Sequence, residues 1–187
     1  VILDAAREVF ARHGYDGASM RQIAAASGVT TPILYDHFVS KQALYMHLLE
    51  DDTNALIEAT ADIAVPDNAR EAMLTAGAEA FFAFVEQHPS AWRMLFRDMP
   101  GDPQIAEKHR AMQRRGDRAI AELLAAIPGS HSRPPAHPDG VAFDMLAVAV
   151  RSVVNGLASW WWDHRDTPRA DVVAAAVDLL AHGVLAQ

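Results

Sequence analysis

The chain has 187 residues, a formal net charge of -8 and no cysteine. That length fits one large domain or a small domain joined to a larger one. The missing thiols exclude disulfides and thiolate metal sites, and the acidity argues against a general polyanion binder.

No apolar run reaches the roughly 18–20 residues of a membrane span. Residues 1–13 alternate charges through an amphipathic pattern, unlike a signal peptide. A soluble cytoplasmic protein without membrane partners is expected, with a short leader missing ahead of Val1. The charge is uneven. Within residues 1–47, Arg7, Arg12, Arg21 and Lys41 balance Asp4, Glu8, Asp16 and Asp36, so the acidic excess lies further on.

Strand signals are almost absent, and apolar residues recur at three and four, which predicts an all-α chain of about nine helices. The first carries Ile2, Leu3, Ala6, Val9 and Phe10 on one face, with Gly14 as its stop. In "SMRQIAAASG", Ser19 and Gln22 stand at capping-box spacing, Ile23, Ala24 and Ala26 are the apolar positions, and Gly28 follows the end. Thr31 and Pro32 read as cap and first residue of a short third helix ending near Phe38. Ser40 caps a longer fourth helix through Leu44, Leu48, Leu49 and Leu56.

Pro66 marks a break. A helix is expected over about 68–87, a shorter one from Pro89, and another from Asp102 and Pro103 to about Ile127. "PGSHSRPPAHPDG" reads as a loop. Two last helices are expected over about 141–163 and 168–185.

The second and third helices are separated only by "SGVT", the tight glycine-containing turn of a helix-turn-helix. Ile23 and Ala24 can pack against Val29 and Leu34, leaving Thr30, Thr31, Tyr35 and His37 to face outward. A helix fits the major groove, its first residues meeting base edges. Hydroxyls, tyrosine, lysine and helix N-termini bind phosphate.

"GVTTPILYDHFVSKQALY" resembles the recognition-helix signature of the tetracycline-repressor (TetR) family of transcriptional regulators, and "ILDAAREVFARHGYDGASMRQIAAASG" resembles that family's first two helices. The later "HPSAWRMLFRD" and "NGLASWWWDHRDTP" are similar to segments in some members. The resemblance implies an N-terminal three-helix DNA-binding module over 1–47 and a larger helical ligand-binding and dimerisation domain over 48–187. It places Thr30, Thr31 and Pro32 at the base-facing start of the recognition helix. Tyr35 and His37 approach phosphates or bases, and Lys41 holds a phosphate. Ser19 and Arg21 anchor the second helix to the DNA backbone, and Leu34 and Phe38 match buried positions. Pro32 stands where glycine is common, and Asp36 where a basic or aromatic residue is common. Asp36 can accept from a cytosine amino group, pair with a cation, or lower affinity.

The resemblance also implies a homodimer through the last two long helices, a near-palindromic DNA operator, and repression relieved by a small hydrophobic effector. The sign of that coupling is not written in the sequence. In the eighth helix Leu146, Val150, Val153, Leu157 and Trp161 share helical spacing, beside a thinner set of Met145, Ala149, Ser152, Gly156 and Ser159. The last helix offers Val172, Val173, Ala176, Leu180 and Gly183. Candidates to line an effector cavity are Phe81, Phe84, Trp92, Phe96, Met112, Met145 and Trp160, with Asn155 as a polar contact. Ordinary core packing is the alternative for each. "WWW" at 160–162 cannot point one way, so at least one of these rings should be exposed.

An enzyme is the rival from another class. No Glu has a His three residues later, as a di-iron bundle would need. His131 and His137 lack companions for a metal set, and no phosphate loop or nucleophile elbow appears. His88 and His109 are isolated and receive no role. Neither metal nor cofactor is expected. A second rival is a helical interaction module that has lost DNA binding.

Overall fold

The computed structural model describes residues 1–61, 70–97, 101–125 and 141–182. Those residues hold nine helices and no strand: α1 Ile2–Gly17, α2 Met20–Ser27, α3 Thr31–His37, α4 Lys41–Ala61, α5 Arg70–Gln87, α6 Pro89–Phe96, α7 Pro103–Ala125, α8 Val141–Trp162 and α9 Arg169–His182. Pro66, the tract at 128–140 and Gly183 lie outside the described residues. The chain divides into two compact units, Val1–Ala55 with His88–Gln113, and Leu56–Gln87 with Arg114–Gln187. The helices α4 and α7 each contribute residues to both units.

In the first unit the apolar spacing explains the packing. Ala6, Val9 and Phe10 recur along one side of α1 and are buried. Gly14 then takes φ 68°, a left-handed value that stops the regular helix where glycine predicted it. The Ser19 hydroxyl accepts from the Gln22 amide (3.3 Å) and donates to Gln22 Oε1 (2.7 Å), starting α2. Gly28, at φ 72°, closes α2, and the next amide, Val29 N, donates to the Ala24 carbonyl at 3.1 Å. Ser40 accepts from the Ala43 amide at 3.0 Å and starts α4. Leu44, Tyr45, Leu48 and Leu49 of α4 are buried, as are Trp92, Met94 and Leu95 of α6 and Ile105 of α7.

Two polar ties cross this core. Arg7 of α1 donates through Nε to Asp52 Oδ1 of α4 at 2.7 Å and pairs with the adjacent Asp51. Burial favours a neutral Arg7 side chain, but the Asp52 and Asp51 carboxylates outweigh it and push its pKa up. The second tie joins Tyr45 Oη and His109 Nε2 at 3.0 Å.

The second unit packs α5 against α9 and α8. Phe81, Phe82, Phe84 and Val85 of α5 are buried, with Val172, Val173, Ala176 and Val177 of α9. The inward seam of α8 runs Ala147, Val154, Ala158 and Trp161, spaced seven, four and three apart as one helix face requires. Of the apolar set at helical spacing, only Trp161 lies on this seam. Leu146 is exposed, and Val150, Val153 and Leu157 lie on the flank between the inward seam and the solvent side. Trp161 Nε1 donates to the Thr167 carbonyl (2.8 Å), closing the α8–α9 turn. Arg169 holds α9 to α5 through Glu79 (3.3 Å) and Glu86 (2.5 Å).

Burial holds the His109 pKa below its ordinary value, against the opposing pull of the Leu95 carbonyl. A depressed folded pKa means that the unfolded chain takes up the proton first. The stability tied to neutral His109 is therefore complete above the ordinary imidazole pKa, about 6.5, and is lost as pH falls through the depressed one. His109→Gln should flatten this acid limb in unfolding midpoints measured against pH; parallel curves for the two proteins would contradict the assignment.

Candidate nucleic-acid interface

The helix-turn-helix is built from α2, the Gly28 turn and α3. Ile23 and Ala24 of α2 and Leu34 of α3 are buried together where the helices meet, and Val29 is half-buried. A helix turns about 100° per residue, so burying Leu34 turns its neighbours Tyr35, Asp36 and His37 away from the core. All three are exposed, Tyr35 by 48 %. Thr30 is exposed at the cap, makes no capping hydrogen bond with its side chain, and precedes half-buried Thr31 and exposed Pro32. Ser19 and Arg21 are exposed at the start of α2. Thus Ser19, Arg21, Thr30, Thr31, Pro32, Tyr35 and His37 lie on the short helices and their caps with side chains wholly or partly open to solvent.

Lys41 is placed differently from the expectation. Its Nζ donates to the Tyr15 carbonyl (2.7 Å) and the Ala18 carbonyl (2.9 Å) and lies 4.3 Å from the centre of the Tyr15 ring. Two of its three protons are spent on the end of α1. The cause is local: where α1 breaks at Gly14, the following carbonyls lose regular helical partners, and a cation at the start of α4 supplies the donors. Tyr15 itself stays neutral, since burial and the Asp102 and Asp16 carboxylates raise its pKa. Phe38, matched to a buried position, is only half-buried, its ring 5.6 Å from that of exposed His47. Among the described residues no ion pair joins exposed Asp36 to a cation.

The residues expected around an effector do not fall in one compact unit. Trp92, Phe96 and Met112 belong to the first, and Phe81, Phe84, Met145, Asn155 and Trp160 to the second. Phe81, Phe84 and Trp92 are buried, and Phe96 and Met112 are half-buried. Met145 and Trp160 lie on the solvent side of α8, 53 % and 47 % exposed, because both fall off its inward seam. Trp160 stacks on His164 at 4.1 Å. The Asn155 amide donates to the Arg151 carbonyl at 3.0 Å. Of the α9 residues expected at a dimer contact, Val172, Val173 and Ala176 are buried within their own unit, and Leu180 is half-buried. No group of three or more metal-ligating side chains gathers among the described residues.

Residues 2–48 match the family model described as bacterial regulatory proteins, tetR family, and residues 70–184 match the tetracyclin repressor-like C-terminal domain. The chain belongs to the tetR family. A regulator of this family acts by binding DNA in response to a ligand, and is not an enzyme. The chain is 29 % identical to the transcriptional activator FasR of Mycolicibacterium smegmatis, over 89 % of its own length and 73 % of that protein. It is also 29 % identical to the transcriptional repressor Rv1474c of Mycobacterium tuberculosis, over 98 % and 90 % of the two. FadR of Bacillus subtilis, solved with stearoyl-CoA, shares the fold at a TM-score of 0.80 and 16 % identity, covering 98 % of this chain and 97 % of that one.

Lys41→Met should lower the unfolding midpoint, since it orphans two carbonyls, while leaving the salt dependence of DNA binding unchanged. Loss of a phosphate contact would instead reduce the slope of log K against log salt by about one.

Proposed function

We propose that this tetR-family regulator binds a near-palindromic operator as a homodimer, with α3 in the major groove, and leaves it when a hydrophobic effector is bound. The observation that carries the DNA-facing part is the α3 surface. Its buried anchor is Leu34, and its outward residues Thr30, Tyr35, Asp36 and His37 are hydroxyl, phenol, carboxylate and imidazole groups. In this reading Thr30, Thr31 and Pro32 meet base edges, Tyr35 and His37 meet base or phosphate, and Ser19 and Arg21 anchor α2 to the DNA backbone. Lys41 acts as an internal prop.

The exposed face of α8 supports the dimer. Met145, Ala149, Ser152, Gly156 and Ser159 lie on it at helical spacing. Small residues there allow two helices to approach closely across a two-fold axis. One seven-residue helix reads few base pairs, whereas two related by symmetry read half-sites about one helical turn apart, roughly 34–36 Å. For the effector, the phenylalanine-rich α5 and the likeness to the stearoyl-CoA complex favour a long-chain acyl thioester. Such a ligand relieves repression only by binding more tightly to the DNA-incompetent arrangement.

Selection from random duplexes should return an inverted repeat, and stearoyl-CoA should then release the protein from it, whereas free coenzyme A should not. A single asymmetric half-site would contradict the dimer. Unchanged binding in the presence of stearoyl-CoA would contradict the acyl effector.

A further inference from the structure

A buried histidine of the first unit has no part in the DNA-facing surface. His109 is 2 % exposed and its partner Tyr45 is 1 % exposed. A neutral imidazole offers one donor and one acceptor. The Leu95 backbone, in the last turn of α6, is hydrogen-bonded to this ring through its carbonyl, which raises the imidazole pKa as an acceptor does. That carbonyl takes the ring's single proton, so Tyr45 Oη donates to Nε2 across 3.0 Å. One ring thereby joins α4, α6 and α7.

The contact does not end at Tyr45. The Tyr45 ring lies edge-on to Phe10 (4.9 Å) and Tyr15 (5.0 Å) of α1. Lys41 sits over Tyr15 and donates to the Ala18 carbonyl, one residue before Ser19, the cap of α2. A continuous series of contacts therefore runs from His109 to the first residue of the helix-turn-helix. The helices carrying the pair, α4 and α7, are the two divided between the compact units. A pair of apolar side chains would fill the same space without the cost of burying polar groups. What the hydrogen bond adds is one allowed geometry.

We infer that the Tyr45–His109 hydrogen bond is a positioning contact for DNA binding: it fixes α4 against α6 and α7 and, through Tyr15 and Lys41, sets the start of α2. Neither residue touches DNA. The pair acts on the placement of the residues that do.

The test separates positioning from stability. Unfolding midpoints and dissociation constants for a selected operator are measured on the full chain and on Tyr45→Phe, His109→Gln and the double variant Tyr45→Phe/His109→Leu. Glutamine keeps one donor for Leu95 and one acceptor for Tyr45, so His109→Gln should bind within about threefold of the unmodified chain. The double variant replaces both side chains by apolar groups and leaves only the Leu95 carbonyl without its donor, so its stability cost is that of one orphaned carbonyl. It should remain folded with a modestly lowered midpoint yet bind about tenfold more weakly, and Tyr45→Phe should weaken binding similarly. A stable double variant with full affinity would overturn the inference, because a purely structural pair recovers both properties together. So would a His109→Gln protein as weak as the double variant. If the double variant does not fold, undiminished affinity of folded Tyr45→Phe overturns it equally.

Discussion

A helix of seven residues has no standing stability in water, because nucleation costs more than so few hydrogen bonds return. The helix α3 is such a helix, and the DNA-reading role proposed for it requires it to be formed and aimed. The interaction that makes this possible is the burial of Leu34 where α3 meets α2, whose Ile23 and Ala24 are buried too, at 0 %, 0 % and 2 % exposure. Removing most of a wholly buried leucine side chain costs about 2–5 kcal/mol, more than a short helix can supply itself. The Gly28 turn then sets the angle, and the outward faces of Tyr35, Asp36 and His37 follow from helical geometry.

Around this anchor the first unit uses a few polar ties, each closing a specific gap. Lys41 satisfies the carbonyls left by the break at Gly14, Arg7 joins α1 to α4 through Asp51 and Asp52, and His109 receives Tyr45 while serving the end of α6. Such groups are expensive to bury and so contribute little net stability. Their value is in restricting how the helices sit, which a regulator needs more than additional stability. The second unit is built differently, from aromatic and small apolar packing, with its Arg169 and Arg151 ion pairs towards the edges.

The elements were legible because their signals are local. Ser19, Gly28 and Ser40 mark helix ends by hydrogen bonding and left-handed backbone, and both appear in a single sequence. Ile23, Ala24 and Leu34 were legible as a packed set for the same reason, through spacing. The contacts of Lys41 were not, because nothing in the local sequence points to the Tyr15 and Ala18 carbonyls, which only the position of α1 brings to it. His109 looked isolated because its partner Tyr45 lies 64 positions away along the chain. On α8 the apolar pattern runs nearly all the way round, so periodicity alone could not choose the inward seam. Trp160 and Met145 fell outside it for that reason.

The central physical claim is that α3, the proposed DNA-reading helix, is already ordered in the free protein, held by buried Leu34 where it meets α2. Amide hydrogen exchange on the DNA-free chain tests it directly. The account predicts that the amides of α3 which bond within the helix are protected together with those of α2, and that Leu34→Ala lowers both in step. Unprotected α3 amides beside a protected α2 would contradict it, and would mean that the recognition helix forms only on DNA.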